Sequence, residues 1–332
     1  MKVQFKILRR DVNKEPYFQT YRLEVDPSKT ILECLNRIKW ELDGSLTFRK
    51  NCRNTICGSC GMKINGRSGL ACKENIASQL SRSPTLNDQE IPEIIIAPLG
   101  NMPVIKDLVV DMRSFWDNLE QIEPYVSTKS RQVPEREFLQ TPEEREKLDQ
   151  TGNCILCGAC YSECNAREVN PEFVGPHALA KSYRMVADSR DSETETRLEK
   201  YDDSKTGVWG CTRCFLCNEV CPMEVAPLDQ ISKIKSEILD RKDRHSSLPV
   251  RHRKLLLELV SQGGWIDERK FALILMTNYL QDLKGLIKIT PVGWRMLLNG
   301  KIPSSFEPSE GTEEVRELIK SVQESKELRI EN

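Results

Sequence analysis

Apolar and polar residues alternate in two early segments, VQFKILR (3–9) and YRLEV (21–25), the period-two pattern of half-buried strands. The period then lengthens. ILECLNRIKWEL (31–42) carries its apolar residues at helical spacing, and MKIN (62–65) and LACK (70–73) flank Asn65-Gly66. Both turn positions tolerate positive φ, so this pair predicts a tight hairpin. EIIIAP (93–98) reads as a last, buried strand. Residues 1–104 are thus expected to form a small β-rich domain with one helix and a cysteine-rich loop between helix and hairpin.

From about Lys106 the pattern is helical. DLVVDMRSFWDNLEQI (107–122) reads as a helix, EEREKLDQTG (143–152) as another that runs into the second cysteine group, and PHALAKSYRMVAD (176–188) and LDQISKIKSEILDRK (228–242) as amphipathic helices. The acidic DSRDSETETRLEKYDDS (188–204) reads as a solvated loop or short helix without chemistry. A third region, 245–332, holds PVRHRKLLLELVSQGG, DERKFALILMTNYLQDLKGLIKI and TEEVRELIKSVQESKELR, three helices parted by Gly and Pro. The chain therefore divides into 1–104, 105–244 and 245–332.

Net charge is −1, so nothing in the bulk electrostatics draws this chain to nucleic acid or anionic lipid. No apolar run approaches the roughly 20 residues that span a bilayer. MKVQFKILRR lacks the apolar core of a signal peptide, which predicts a location on the cytoplasmic side.

Cysteine changes the picture. There are 13, an odd number, in groups of two-residue spacing, which suits metal ligation better than disulfides. Group one is Cys52-x4-Cys57-x2-Cys60 followed by Cys72, the spacing of plant-type [2Fe–2S] ferredoxins. Two tetrahedral irons with bridging sulfides need four thiolates. Gly58 and Gly61 are expected to let backbone N–H groups approach the sulfurs. Group two is Cys154-x2-Cys157-x2-Cys160-x3-Cys164, and group three is Cys211-x2-Cys214-x2-Cys217-x3-Cys221-Pro222. Both repeat the two-cluster ferredoxin run, whose fourth cysteine ligates the other cluster. One cubane then falls to Cys154, Cys157, Cys160 and Cys221. The other falls to Cys211, Cys214, Cys217 and Cys164. Each run is expected to open a helix at its fourth cysteine. Zinc also takes tetrahedral thiolate sites, but from pairs rather than from three close cysteines and an offset fourth.

Cys34, with Ile31, Leu35 and Ile38 on one helical face, reads as a core residue. His177, His245 and His252 stand alone and read as structural or solvent-exposed. The sequence has no Gly-rich nucleotide motif, catalytic triad or paired carboxylates. It reads as an electron carrier whose partner supplies the substrate chemistry.

These three groups, with FRKNCRNTICGSCGMKINGRSGLACK (48–73), IIIAPLGNMPVIKDLVVDM (94–112), REKLDQTGNCILCGAC (145–160) and YRMVADSRDSETETRL (183–198), resemble the iron–sulfur subunits of succinate dehydrogenase and fumarate reductase over about residues 1–240. The resemblance implies an α+β fold: a β-grasp [2Fe–2S] domain, a helical two-cluster ferredoxin domain and a helical extension. It also implies a partner flavoprotein that carries FAD and the dicarboxylate site. Electrons from that flavin would reach the [2Fe–2S] cluster, then the [4Fe–4S] cubane, then the distal cluster, and leave toward a quinone or membrane partner. The membrane would be reached through partner subunits.

Three departures bear on the exit end. Cys214 stands where quinone-linked members have a non-cysteine and a [3Fe–4S] cluster, so [4Fe–4S] is favoured here, with [3Fe–4S] the alternative if Cys214 points away. Cys164-Asn165-Ala166-Arg167 and Thr212 replace the Pro, Trp and His associated with a ubiquinone pocket, and Trp209 reads as packing. The extension resembles longer subunits whose anchor is not the usual haem-binding one. Its LLLELV (255–260) and FALILM (271–276), with Trp265 and Trp294, either fold onto the cubane domain or dock a membrane-associated partner. The competing functions are fumarate reduction, service to another flavoprotein or a heterodisulfide-type reductase, and iron–sulfur sensing.

Overall fold

The computed structural model describes residues 1–11, 15–82, 91–301 and 305–330. They divide into two compact units, Met1–Lys235 and Ser236–Asn332.

The first unit begins with a five-stranded sheet. β1 (Lys2–Arg9) pairs antiparallel with β2 (Tyr17–Glu24), and its other edge runs parallel to β5 (Glu93–Ala97). β5 meets the hairpin of β3 (Gly61–Ile64) and β4 (Arg67–Leu70), so the sheet order is β2-β1-β5-β3-β4. The hairpin turns on Asn65 and Gly66, at φ 49° and 79°. Alternation sends Val3, Phe5 and Ile7 of β1 inward with Ile94 and Ile96 of β5. The helix α1 (Ile31–Arg37) lays Ile31, Leu35 and Cys34 on that face, and Cys34 is a buried core thiol. α1 starts where Thr30 and Glu33 form a reciprocal capping box, and it continues as a wider π turn over Ile38–Leu42. A short helix α2 (Ile76–Arg82) precedes β5.

Residues 107–112 depart from the helical expectation. β6 (Val104–Lys106) and β7 (Val109–Val110) form a small hairpin, and α3 begins only at Arg113 (Arg113–Gln121). Asp107 decides this. It sits at φ 47° in the turn, fully buried, and accepts from Arg9 Nε (2.9 Å), Arg10 N (3.2 Å) and Thr47 N (2.9 Å). Those long-range bonds outweigh the local helical pattern.

The helical part follows with α4 (Pro142–Gly152), opened by a Thr141–Glu144 capping box, then α5 (Ala159–Ser162), α6 (Asn165–Val169), α7 (Pro176–Val186), α8 (Thr194–Tyr201), α9 (Leu216–Glu219) and α10 (Pro227–Arg241). The acidic stretch 188–204 contains α8 and is not solvated throughout. Arg197 is buried against Asp191 and donates to the carbonyls of Glu123 (2.9 Å) and Tyr125 (2.7 Å), while Tyr201 Oη donates to Ile122 O. This segment straps the chain after α3. His177 is buried in α7, stacked on Phe115 at 3.9 Å between ring centres and bonded to Phe115 O, a packing role.

In the second unit the expected single helix over 267–289 is two. α11 (Leu248–Gly263) is followed by α12 (Glu268–Thr277), α13 (Leu283–Leu298) and α14 (Thr312–Ile330). Asn278, Tyr279 and Leu280 take positive φ and stop α12, and Asp282 caps α13 by accepting from Lys284 N. Leu255 and Leu259 of LLLELV are buried within this unit. His245 and His252 lie against Tyr279 and Phe271.

Candidate functional site

The loop after α1 folds around sulfur. Backbone N–H groups of Asn54 (3.3 Å), Ile56 (3.5 Å) and Cys57 (3.3 Å) point at Cys52 Sγ. Cys52 N donates to Cys57 Sγ and Thr55 N to Cys72 Sγ, each at 3.4 Å. Arg53 and Thr55 adopt φ 58° to turn these amides inward. Such a nest of N–H dipoles favours negative charge on sulfur. Burial alone would raise the Cys57 thiol, but hydrogen bonds from the Ser59 hydroxyl and the Cys52 and Ser59 backbone bring it down to about 6. Cys60, deeper in the core, is pushed up to about 12 by burial. Cys52 is exposed, Cys57 and Cys72 are half-buried, and Cys60 is buried.

Gly58 and Gly61 also allow a close approach that the sequence did not announce. Gly61 N donates to Gly58 O (3.3 Å). What both glycines permit is contact with the second cysteine run. A Cβ on Gly58 would stand 2.9 Å from Cys157 Cα, and one on Gly61 would stand 2.9 Å from Cys157 O. A methyl group at either position would push the first cysteine loop off the second.

Groups two and three fold alike. Leu156 (φ 54°) and Gly158 (φ 83°) in the first run match Arg213 (φ 58°) and Phe215 (φ 68°) in the second. The one-turn helices α5 and α9 follow at matching positions. Phe215 holds an aromatic residue where its counterpart is glycine, a costly left-handed conformation for a bulky side chain. Its ring is exposed beside exposed Cys214. By this internal correspondence Cys214 has the backbone setting of Cys157.

The fourth cysteines reach across. The Cys157 thiol is raised to about 11 by burial and further by the neighbouring sulfurs of Cys221 and Cys154. Cys160, half-buried, is raised well beyond its ordinary value by burial and by Cys157, Cys154, Cys217 and Cys221. Burial raises Cys164 to about 11, with Cys211 and Cys214 adding to it. It raises Cys217 to about 12, with Cys211, Cys164 and Cys214 adding to it. Cys154 is raised by burial and by Cys221. Cys164, Cys211, Cys214 and Cys217 line one cavity, and Cys154, Cys157, Cys160 and Cys221 lie near enough for their charges to act on one another. Buried neutral thiols of this kind lose their protons when iron binds them. Among the described residues, no three His, Cys, Asp or Glu side chains converge as on a single metal ion.

The expected helix start at the fourth cysteine holds for one run only. Cys164 stands at the N-cap of α6, whereas Cys221 precedes a turn and α10 begins at Pro227. Val225 N donates instead to Cys221 Sγ (3.3 Å). Pro222 has no N–H, and Glu224 and Ala226 take positive φ, so the chain turns back onto the sulfur before the helix forms.

Motif reading missed the residues that hold the β-rich and helical parts together. Asn101 Nδ2 donates to the carbonyls of Tyr161 (2.8 Å), Ser162 (3.3 Å) and Cys164 (3.1 Å). Ser68 donates to Glu163, and Lys73 Nζ to Pro222 O at 2.8 Å. Asn101 sits at φ 58°, and its position in LGNMP is the signal that could have marked it as a turn residue. Trp209 donates to Asp202 and lies under Lys235, a packing role.

The chain matches a family model described as a 2Fe–2S iron–sulfur cluster binding domain over residues 4–117, and one described as a 4Fe–4S dicluster domain over 150–225. It is 38% identical over 244 residues to the mitochondrial succinate dehydrogenase [ubiquinone] iron–sulfur subunit 3 of Arabidopsis thaliana, covering 72% of this chain and 76% of that one. It is 36% identical to the fumarate reductase iron–sulfur subunit of Haemophilus influenzae, covering 71% of this chain and 92% of that one. It is 37% identical to the succinate dehydrogenase iron–sulfur subunit of Coxiella burnetii, covering 71% and 96%. In fold it is similar to a chain of the Mycobacterium smegmatis Sdh1 complex in the apo form, at TM-score 0.63 and 24% identity, over 73% of this chain and 97% of that one.

Proposed function

From the premise that this chain belongs to the succinate dehydrogenase and fumarate reductase iron–sulfur subunits, we propose that it carries electrons from the FAD of a partner flavoprotein, which oxidises succinate to fumarate, toward a quinone or membrane partner. The observation that carries this reading is the packing of Gly58 and Gly61 on Cys157, which leaves no side chain between the first cysteine loop and the second.

The residues fit the clusters they would hold. Cys52, Cys57, Cys60 and Cys72 would ligate a [2Fe–2S] cluster, and amides donating to three of those sulfurs favour the thiolate form. Cys154, Cys157, Cys160 and Cys221 would ligate a [4Fe–4S] cluster. Cys164, Cys211, Cys214 and Cys217 would ligate the distal cluster, [4Fe–4S] rather than [3Fe–4S]. The Cys214 assignment rests on its backbone correspondence with Cys157 and on its effect on Cys164 and Cys217. When bound, such clusters supply one-electron carriage that divides the electron pair of a flavin. The protein's own contribution is spacing and environment. Cys160 and Cys217 bring the two four-cysteine groups side by side, and exposed Cys214 and Phe215 bring the last group to the surface.

The test is anaerobic purification from the native source, with metal and flavin analysis. The expected result is copurification with a covalent flavoprotein and about 2 + 4 + 4 iron atoms per chain. Zinc in place of iron, or the absence of a flavoprotein, would overturn the reading.

A further inference from the structure

Both family models end before the second unit, the later of them at residue 225. Within that unit α13 has an unusual surface. Leu283, Leu286, Ile287, Trp294, Leu297 and Leu298 are each between 42% and 72% exposed. Their spacing (i, i+3, i+4, i+11, i+14, i+15) confines them to an arc of about 120° on the helix. Lys284, Lys288 and Arg295, spaced i, i+4 and i+11, form a second stripe along one flank of that arc. No Asp or Glu occurs from Leu283 through Lys301. On the opposite side buried Gly285 sits against the carbonyl of Met276 on α12, while Val292 and Met296 add further exposed apolar surface toward the C-terminal end.

We propose that α13 is an in-plane membrane helix, whose apolar arc enters the acyl boundary of an anionic leaflet while Lys284, Lys288 and Arg295 meet its phosphates. An apolar face bordered by cations, with a tryptophan among the aliphatics, is the composition of interfacial helices. The geometry fits lying rather than spanning. The 16 residues of α13 reach about 24 Å, short of the roughly 30 Å of a hydrocarbon core. No helix among the described residues is long and apolar enough to cross. Charge decides among occupants. A second copy placed face to face brings more cations and no acidic partner on this helix, whereas anionic lipid supplies the missing negative charge along the whole helix. Neither expected apolar segment carries this face: LLLELV is partly buried and FALILM lies on α12.

The proposal goes beyond the electron-transfer reading, because lipid binding can fail while flavin-to-cluster transfer stands. The test is co-sedimentation of the full-length, cluster-loaded chain with vesicles of phosphatidylglycerol and phosphatidylcholine, and with phosphatidylcholine alone. Binding is expected to the mixed vesicles, to weaken with salt, and to fall about tenfold or more in Ile287→Glu/Leu298→Glu. Lys284→Gln/Lys288→Gln/Arg295→Gln, which keeps the apolar arc, should abolish the preference for phosphatidylglycerol. Circular dichroism and cluster absorbance should match the wild type in both variants. A wild type that stays in the supernatant overturns the proposal, as does a Glu variant that binds unchanged. So does a vesicle-free dimer, or a stable complex with another protein, that the Glu variant dissolves.

Discussion

Cys214 shows how much can hang on one side chain. A cubane keeps its fourth iron only when a ligand completes that iron's tetrahedron; otherwise the oxidised three-iron form is the stable one. Arg213 and Phe215, flanking Cys214, repeat the positive φ of Leu156 and Gly158 around Cys157, so the loop that presents Cys157 is built twice. Cys214→Ile is therefore expected to gain, after air oxidation, the three-iron EPR signal near a g value of about 2 that intact wild type lacks. Full occupancy of that signal in undamaged wild type would exclude Cys214 as a ligand. Phe215 was invisible as a strained residue in the sequence. Only its correspondence with Gly158 exposes it, because a positive φ at an aromatic residue is a decision of the fold and not of local propensity.

At the scale of elements, the sheet is anchored by a buried charge. Arg9, at the end of β1, donates to Asp107 (2.9 Å), Asp43 (2.8 Å), Gln19 (2.6 Å), Tyr21 (2.7 Å) and Ser45 (3.0 Å). One guanidinium thus joins β1, β2, the loop after α1 and the β6–β7 turn. Arg9→Met is expected to cost ~3–5 kcal/mol in denaturant unfolding, since it leaves Asp107 buried without its cation. Asp43 is held well below the ordinary carboxylate range chiefly by hydrogen bonds from Ser45 and Tyr21, each of which outweighs the opposing effect of burial, with Arg9 adding less. A carboxylate depressed in the folded state contributes stability above its unfolded pKa of about 4, and loses it as pH falls from there toward the folded value. Asp43→Asn should therefore lower stability at neutral pH and flatten the acid limb of the stability–pH curve. An unchanged acid limb would remove Asp43 from the network's pH dependence.

For the whole molecule, every cysteine precedes residue 222 and the chain separates into two compact units at Lys235. A chain ending at residue 244 keeps α10 whole. It is expected to retain its full iron content and accept electrons from the flavoprotein, as read by iron analysis and by bleaching of cluster absorbance on adding succinate. Loss of iron on truncation would mean that the C-terminal unit supports the clusters.

The three cysteine groups, the hairpin at Asn65-Gly66, strands 3–9 and 93–98 and the helix at 31 were legible in the sequence because their signals are local: spacing, alternation, a turn dipeptide, helical periodicity. Local signals also misled where distant bonds prevailed. Asp107 broke a helical pattern because Arg9 and Thr47 hold it in a turn, and Arg197 and Asp191 turned an acidic, solvent-like stretch into a buried strap. What the sequence by itself determined is the cysteine chemistry, since ligand type and spacing travel with the chain. What only the tertiary structure decided is proximity: Gly58 and Gly61 on Cys157, Asn101 on the carbonyls of Tyr161, Ser162 and Cys164, and the apolar arc of α13 left exposed. Proximity between residues far apart in the chain is set by packing, which no local pattern encodes.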